Sequence, residues 1–203
     1  MPSCTKVATR FGRLVDLLEP DPATIALDDM AWHGARINRW AGGTMLPVSV
    51  ARHSIWVADH VSPKARPWAL FHDMAHEPYI GDIVAPVVEA LDAFVSLGAR
   101  RRDLVSNAVD LMKWRFDRVV REAFDVPWSN EIADEVDCAD LDIRATEARD
   151  FLFDPPANLV LKAVSTDLKR SIRTPEQDEA DWLAYVRHVC PHITIPSILE
   201  HTL

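Results

Sequence analysis

A chain of 203 residues with 48% hydrophobic side chains suits one domain built on one core. Its formal charge of -9 at pH 7 excludes a nonspecific nucleic-acid binder, which needs a cationic face, so no nucleic-acid polymer is expected as a partner. Cys4, Cys138 and Cys190 are odd in number and show no CxxC spacing, the start of the chain holds no charged-then-apolar leader, and no long run escapes charge; a reducing, cytoplasmic setting without a membrane span is the expectation.

Few glycines and few β-branched alternations predict an all-α fold. Asp21-Pro22 joins a capping side chain to a helix-compatible proline, the usual opening of a helix, and a helix is predicted from Leu27 to about Asn38. Trp40 to Thr44 breaks that pattern, and Met45 to Val48 reads as extended. The next helix runs from about Ser49 to Val61 with His53, Val57 and His60 on one face; His60 reads as a hydrogen-bonded core residue. Ser62-Pro63 ends it. The following helix carries Trp68, Ala69, Phe71, His72 and Asp73, and Pro78 and Gly81 break it beyond Glu77, letting Asp82 turn back. A helix is predicted from Pro86 to Leu97. A long amphipathic one follows from about Arg100 to Phe124, with Leu104, Ala108, Leu111, Met112, Phe116 and Val119 inward. Another spans about Glu131 to Phe153. Ala157 to Arg173 reads as a covering loop, and Thr174-Pro175-Glu176-Gln177 is a capping box opening a last helix through Trp182 and Val189.

The chemistry gathers around Leu70 to Ile83. His72 and Asp73 are adjacent nitrogen and oxygen donors of the kind that Zn, Mn, Co or Fe accepts. Two adjacent residues rarely complete a site. His53 upstream and Asp140 downstream extend the order to His, His-Asp, Asp over three predicted helices, with Asp137 an alternative to Asp140 on the same face. An ion held so keeps positions for water and substrate, and its water can ionise near pH 7, which suits in-line hydrolysis of a phosphate ester. On a helix Glu77 would face the same way as Asp73, where it could pass a proton to or from the reacting oxygens. Arg52 is a fork-shaped cation suited to phosphate. His76, without an HExxH pattern, reads as support for a ligand rather than as a ligand. Walker A, DFG and GxSxG motifs are absent, so kinase and serine-hydrolase readings lack their parts.

Further stretches fall in a characteristic order: Gly12-Arg13-Leu14-Val15-Asp16-Leu17-Leu18-Glu19-Pro20, Arg36-Ile37-Asn38-Arg39-Trp40, Ser49-Val50-Ala51-Arg52-His53-Ser54, His72-Asp73, Gly81-Asp82-Ile83 and Ala145-Thr146-Glu147-Ala148-Arg149-Asp150. On these the chain resembles the HD-domain metal-dependent phosphohydrolases, closest to the small bacterial and phage nucleotide hydrolases related to the HD-domain 5'-deoxynucleotidases, over about residues 12–187. The resemblance implies a single all-α helical-bundle domain over 1–203 and a divalent ion (Zn, Co, Mn, Fe or Mg) on His53, His72, Asp73 and Asp140. It selects Asp140 because that residue stands six before Thr146. It implies Glu77 as proton carrier and Asp82 beside the metal and leaving group. Arg39 and Trp40 would lie near phosphate, sugar and base, with Arg36 the alternative for phosphate, while Glu147 and Arg149 read as ties between helices. The implied reaction is hydrolysis of (deoxy)nucleoside 5'-monophosphates, a small-molecule substrate, by a homo-oligomer. Rivals are a dATP triphosphohydrolase of the same superfamily and a non-catalytic nucleotide-binding regulatory module. A cyclic-nucleotide phosphodiesterase is disfavoured, because the variant with an added Gly-Tyr-Pro element is absent.

Overall fold

Local capping chemistry sets several helix ends. Ser49 accepts from the Arg52 backbone N–H to start α2 (Val50–His60), Ser129 accepts from Ile132 to start α7 (Asn130–Phe151), and Thr174 with Gln177 forms the anticipated capping box of α9 (Pro175–Val189). The computed structural model describes residues 5–99, 103–160, 163, 168 and 171–194. The other helices are α1 (Leu27–Gly34), α3 (Arg66–Phe71), α4 (Glu77–Ile80), α5 (Ala85–Ala99), α6 (Leu104–Phe124) and α8 (Ala157–Val160). The fold is all-α, with one small antiparallel hairpin of β1 (Lys6–Ala8) and β2 (Leu14–Asp16) that the sequence reading did not anticipate. Arg13 clamps this hairpin onto α1 through Asp28 and Asp29 at 3.0 and 2.7 Å.

The centre of the molecule is α2, packed against α1, α3, α7 and α9. Val50, Ala51, Val57 and Ala58 join Leu70, Phe71, Ile143, Phe151, Trp182 and Val186 in one core, and the Trp182 indole donates to the Leu70 carbonyl at 3.0 Å. Removal of these side chains from water supplies the main drive for packing the helices together. Among the described residues, no helix is long and apolar enough to cross a membrane.

Several sequence expectations are corrected. Asp21 does cap a helix, accepting from Ala23, but that helix is a separate 3-10 turn over Pro22–Thr24, and α1 begins after Ala26. Helix α1 stops at Gly34 instead of Asn38, because Ile37 to Arg39 pairs in extended form with Val48 to Val50: Arg39 N–H donates to Val48 and Val50 N–H to Ile37. Gly34 lies under Met74, whose thioether occupies the space that a Cβ at this position would need. Helix α3 ends at Phe71, so His72 to His76 form turns and Glu77 opens a new helix. Pro78 lacks the N–H that would bond Met74, which removes a rung of the ladder there. His60 is exposed at the end of α2 rather than in the core, although His53 and Val57 are buried. On α6, Phe116 and Val119 are buried, but Leu104, Ala108 and Leu111 are exposed, since that half packs on α5 away from the main core. Helix α7 ends at Phe151, two residues early. Of the expected covering loop from Ala157 to Arg173, Ala157–Val160 form helix α8, and 161, 162, 164–167, 169 and 170 lie outside the described residues.

Candidate metal centre

Three elements deliver the donors. Capping by Ser49 sets α2 so that His53 points inward, fully buried. The turns after α3 present His72 and Asp73 together, and α7 supplies Asp140. One donor atom from each of these four lies within 4.8 Å of every other. His53 Nε2 is 2.9 Å from Asp140 Oδ1 and 3.3 Å from Asp73 Oδ2; His72 Nε2 is 3.4 Å from Asp73 Oδ2 and 4.0 Å from Asp140 Oδ1. Ligands bound to one ion at about 2.0–2.2 Å lie about 3.0–4.3 Å from one another. The observed edges therefore match a shared centre.

The imidazoles are held in a consistent way. His53 Nδ1 meets Glu147 Oε1 at 2.7 Å, and His72 Nδ1 meets the Ala69 carbonyl at 2.7 Å. A carboxylate or carbonyl oxygen only accepts, so each Nδ1 carries the proton. Each Nε2 is buried without a hydrogen-bond partner, as is Asp140 Oδ1. Closeness without hydrogen-bond alignment, in groups that would otherwise be costly to bury, is what donors aimed at a third point produce.

Around this group stand charges that compensate one another. Arg39 donates from Nη1 to Asp73 Oδ2 at 2.7 Å and lies 3.6–3.8 Å from Glu77, Asp140 and Glu147. Burial and Arg39 both push the His53 imidazole toward neutrality, but Glu147 and Asp140 outweigh them and carry it up to about 10. Burial opposes ionisation of Asp73, yet His72 and Arg39 hold it well below the usual carboxylate range. Glu77 goes the other way: burial and the nearby Asp73 charge push it well above, with Arg39 and Lys113 opposing. In the metal-free protein the His53 proton balances acids that a divalent ion would balance in its place.

The remaining sequence-named residues divide clearly. Arg39 joins the group. Trp40, held at a positive φ of 60°, donates its indole N–H to Glu147 Oε2 at 3.1 Å, so it abuts the centre through that carboxylate. Glu77 is buried with Oε2 unpartnered, and Asp82 follows Gly81 with Oδ2 likewise unpartnered. Arg36 is not brought to the group: it stacks on Trp32 and bridges to Glu176 and Glu179 of α9, both at 2.8 Å. Arg52 lies over Trp56 and donates to Ser171, lining a cavity of about 410 Å³ with Trp56, Arg173 and Asp178. Asp137 is exposed and outside the four-donor group.

No family model matches the chain. An uncharacterised protein of Rhodobacter capsulatus is 39% identical over 90 residues, a stretch covering 39% of this chain and 45% of that protein. The shared stretch thus spans under half of either chain.

Two residues in orienting roles went unseen as such in the sequence. Glu147, read as a tie between helices, makes that tie by gripping His53, Trp40 and Arg39 at once. Asp117, 41 residues beyond His76, meets His76 Nδ1 at 3.2 Å. Nothing in the sequence marks Asp117 among the other acids of α6.

Proposed function

We propose that the protein is a metal-dependent nucleotide phosphohydrolase of the HD superfamily, acting on (deoxy)nucleoside 5'-monophosphates. The observation that carries this reading is the convergence of His53, His72, Asp73 and Asp140 from separate segments, with both Nε2 atoms and Asp140 Oδ1 buried and unpartnered. A divalent ion held there supplies a Lewis acid for phosphoryl oxygen and lowers the pKa of water. Glu77 is positioned beside Asp73, where burial and the Asp73 charge raise its pKa, as suits a carboxyl that takes and returns a proton. Arg39 can turn its remaining N–H groups to phosphate oxygens. Trp40 offers an aromatic face to sugar or base. Choice of a nucleotide rests on the motif resemblance. Choice of one phosphate rests on the same resemblance.

The test is to incubate Mn- or Co-loaded protein with dAMP and dATP and identify the products. Phosphate and nucleoside from dAMP are expected; intact triphosphate from dATP would replace this reading with the triphosphohydrolase, and no turnover of either would favour the regulatory module. His72→Ala and Asp73→Ala should lose ion and activity together, and retained stoichiometric ion in both would reject the ligand set. Glu77→Ala should keep the ion on His53, His72, Asp73 and Asp140 while turnover falls roughly 10²–10⁴-fold.

A further inference from the structure

Beside the four-donor group lies a second set of buried donors. Asp73, His76 and Glu77 each offer an atom within 4.8 Å of the others. Asp73 belongs to both sets and divides its oxygens between them. Its Oδ2 faces His53 and His72, whereas Oδ1 faces His76 Nε2 at 3.8 Å, again within the spacing of two ligands on one ion.

His76 repeats the presentation of the two histidines already described. Its Nδ1 meets an acceptor, Asp117 Oδ1, and its Nε2 is buried with no hydrogen-bond partner. The carboxylate–imidazole arrangement fixes the tautomer and leaves the lone pair on Nε2, as it does for histidines that ligate metals. The side chain is 6% exposed, so water offers Nε2 little compensation. Glu77 Oε2 and Asp82 Oδ2 are also buried without partners. A merely structural His76 accounts for the Asp117 bond and leaves these orphaned atoms unexplained.

We infer that Asp73 Oδ1, His76 Nε2 and a Glu77 oxygen form a second divalent-cation site, with Asp73 bridging it to the first. This inference rests on the ion site proposed above and deepens it. Glu77 has two oxygens, and Oε1 lies on the Arg39 side at 3.7 Å, so a ligating Glu77 keeps one oxygen for proton exchange. Two cations sharing a carboxylate clamp both the entering and the leaving oxygen of an in-line displacement.

The experiment titrates Mn(II) into metal-stripped full-length protein, reading stoichiometry by elemental analysis and coupling by electron paramagnetic resonance. Two ions per chain are expected: a six-line spectrum at one equivalent and a broadened, spin-coupled spectrum at two. His76→Gln should bind one ion and keep the six-line spectrum. Asp117→Asn, at a partly exposed side chain that folding tolerates better, should weaken the second ion roughly 10–100-fold and leave the first unchanged. Saturation of the wild type at one ion that His72→Ala abolishes would overturn the second site while sparing the first. Two coupled ions retained by both His76→Gln and Asp117→Asn would also overturn it. No bound Mn in the wild type would overturn both readings.

Discussion

Replacing Glu147 by Gln exchanges one carboxylate oxygen for an amide nitrogen at a fully buried point of the site. Glu147 accepts from His53 Nδ1 at 2.7 Å through Oε1 and from Trp40 Nε1 at 3.1 Å through Oε2, and it lies 3.6 Å from Arg39 Nε. Both neighbours donate. A glutamine has one accepting oxygen and one donating nitrogen, so one N–H must then face an N–H. An unsatisfied buried donor costs about 1–3 kcal/mol, and loss of the anion leaves Arg39 with less compensation, so the metal-free protein should lose about 2–4 kcal/mol. Release of His53 from its orienting partner should weaken ion binding about 10–100-fold, or about 1.4–2.7 kcal/mol. One effect opposes this: without Glu147 the His53 proton is held less firmly and competes less with the ion. Denaturant unfolding of metal-free protein and calorimetric titration with Mn(II) measure the two quantities. Glu176→Gln is the control, because its carboxylate pairs with Arg36 at the surface, where solvent screens the pair, and should leave both stability and Mn affinity near wild type. A Glu147→Gln protein with wild-type stability and wild-type Mn affinity would refute the orienting role.

Arg36→Ala should lower stability by about 1–2 kcal/mol through loss of its Trp32 stack and its ties from α1 to α9, while KM for nucleotide stays within about twofold; a tenfold rise in KM at unchanged stability would return phosphate binding to Arg36. The metal-free protein should also respond to pH in a defined sense. His53 is raised from 6.5 to about 10, so its contribution is complete below pH 6.5 and is lost as pH rises through about 10, and the raised Glu77 acts in the same direction. Asp73, Asp140 and Glu147 are lowered, so theirs is present above the ordinary carboxylate range and lost in acid. Melting temperature should therefore fall from pH 7 to 9.5 in chelator, and Mn(II) uptake should tighten over the same interval as the competing proton leaves. A chelated protein that gains stability across that interval would contradict the charge assignment.

Features legible in the sequence are those made by near neighbours. Thr174 with Gln177 caps the helix it precedes, because a short hydroxyl reaches an N–H three residues on regardless of the rest of the fold. The adjacency of His72 and Asp73 is likewise a property of the chain alone. Periodicity failed where two elements compete for one stripe: Leu104 and Leu111 continue the apolar spacing of Phe116, yet that end of α6 lies on α5 and open to solvent. It failed again at Asn38, where pairing with Ser49 draws the chain out of α1.

The site itself depends on distances along the chain that periodicity cannot bridge. Asp137 and Asp140 are one turn apart on α7, and only the rotation of that helix against α2 brings the second into the group. Arg36 and Arg39 are equally plausible phosphate ligands by composition, but the extended pairing at Val48 carries Arg39 inward while Trp32 and α9 hold Arg36 outside. His76, Asp117 and Glu147 owe their relations to contacts 41 and 94 residues apart in sequence. Composition and spacing alone specified an all-α chain with an imidazole–carboxylate pair at its centre, since those follow from covalent neighbours. Which acids and cations surround that pair was decided by helix packing, because burial in a shared core fixes side-chain direction across segments that carry no local memory of each other.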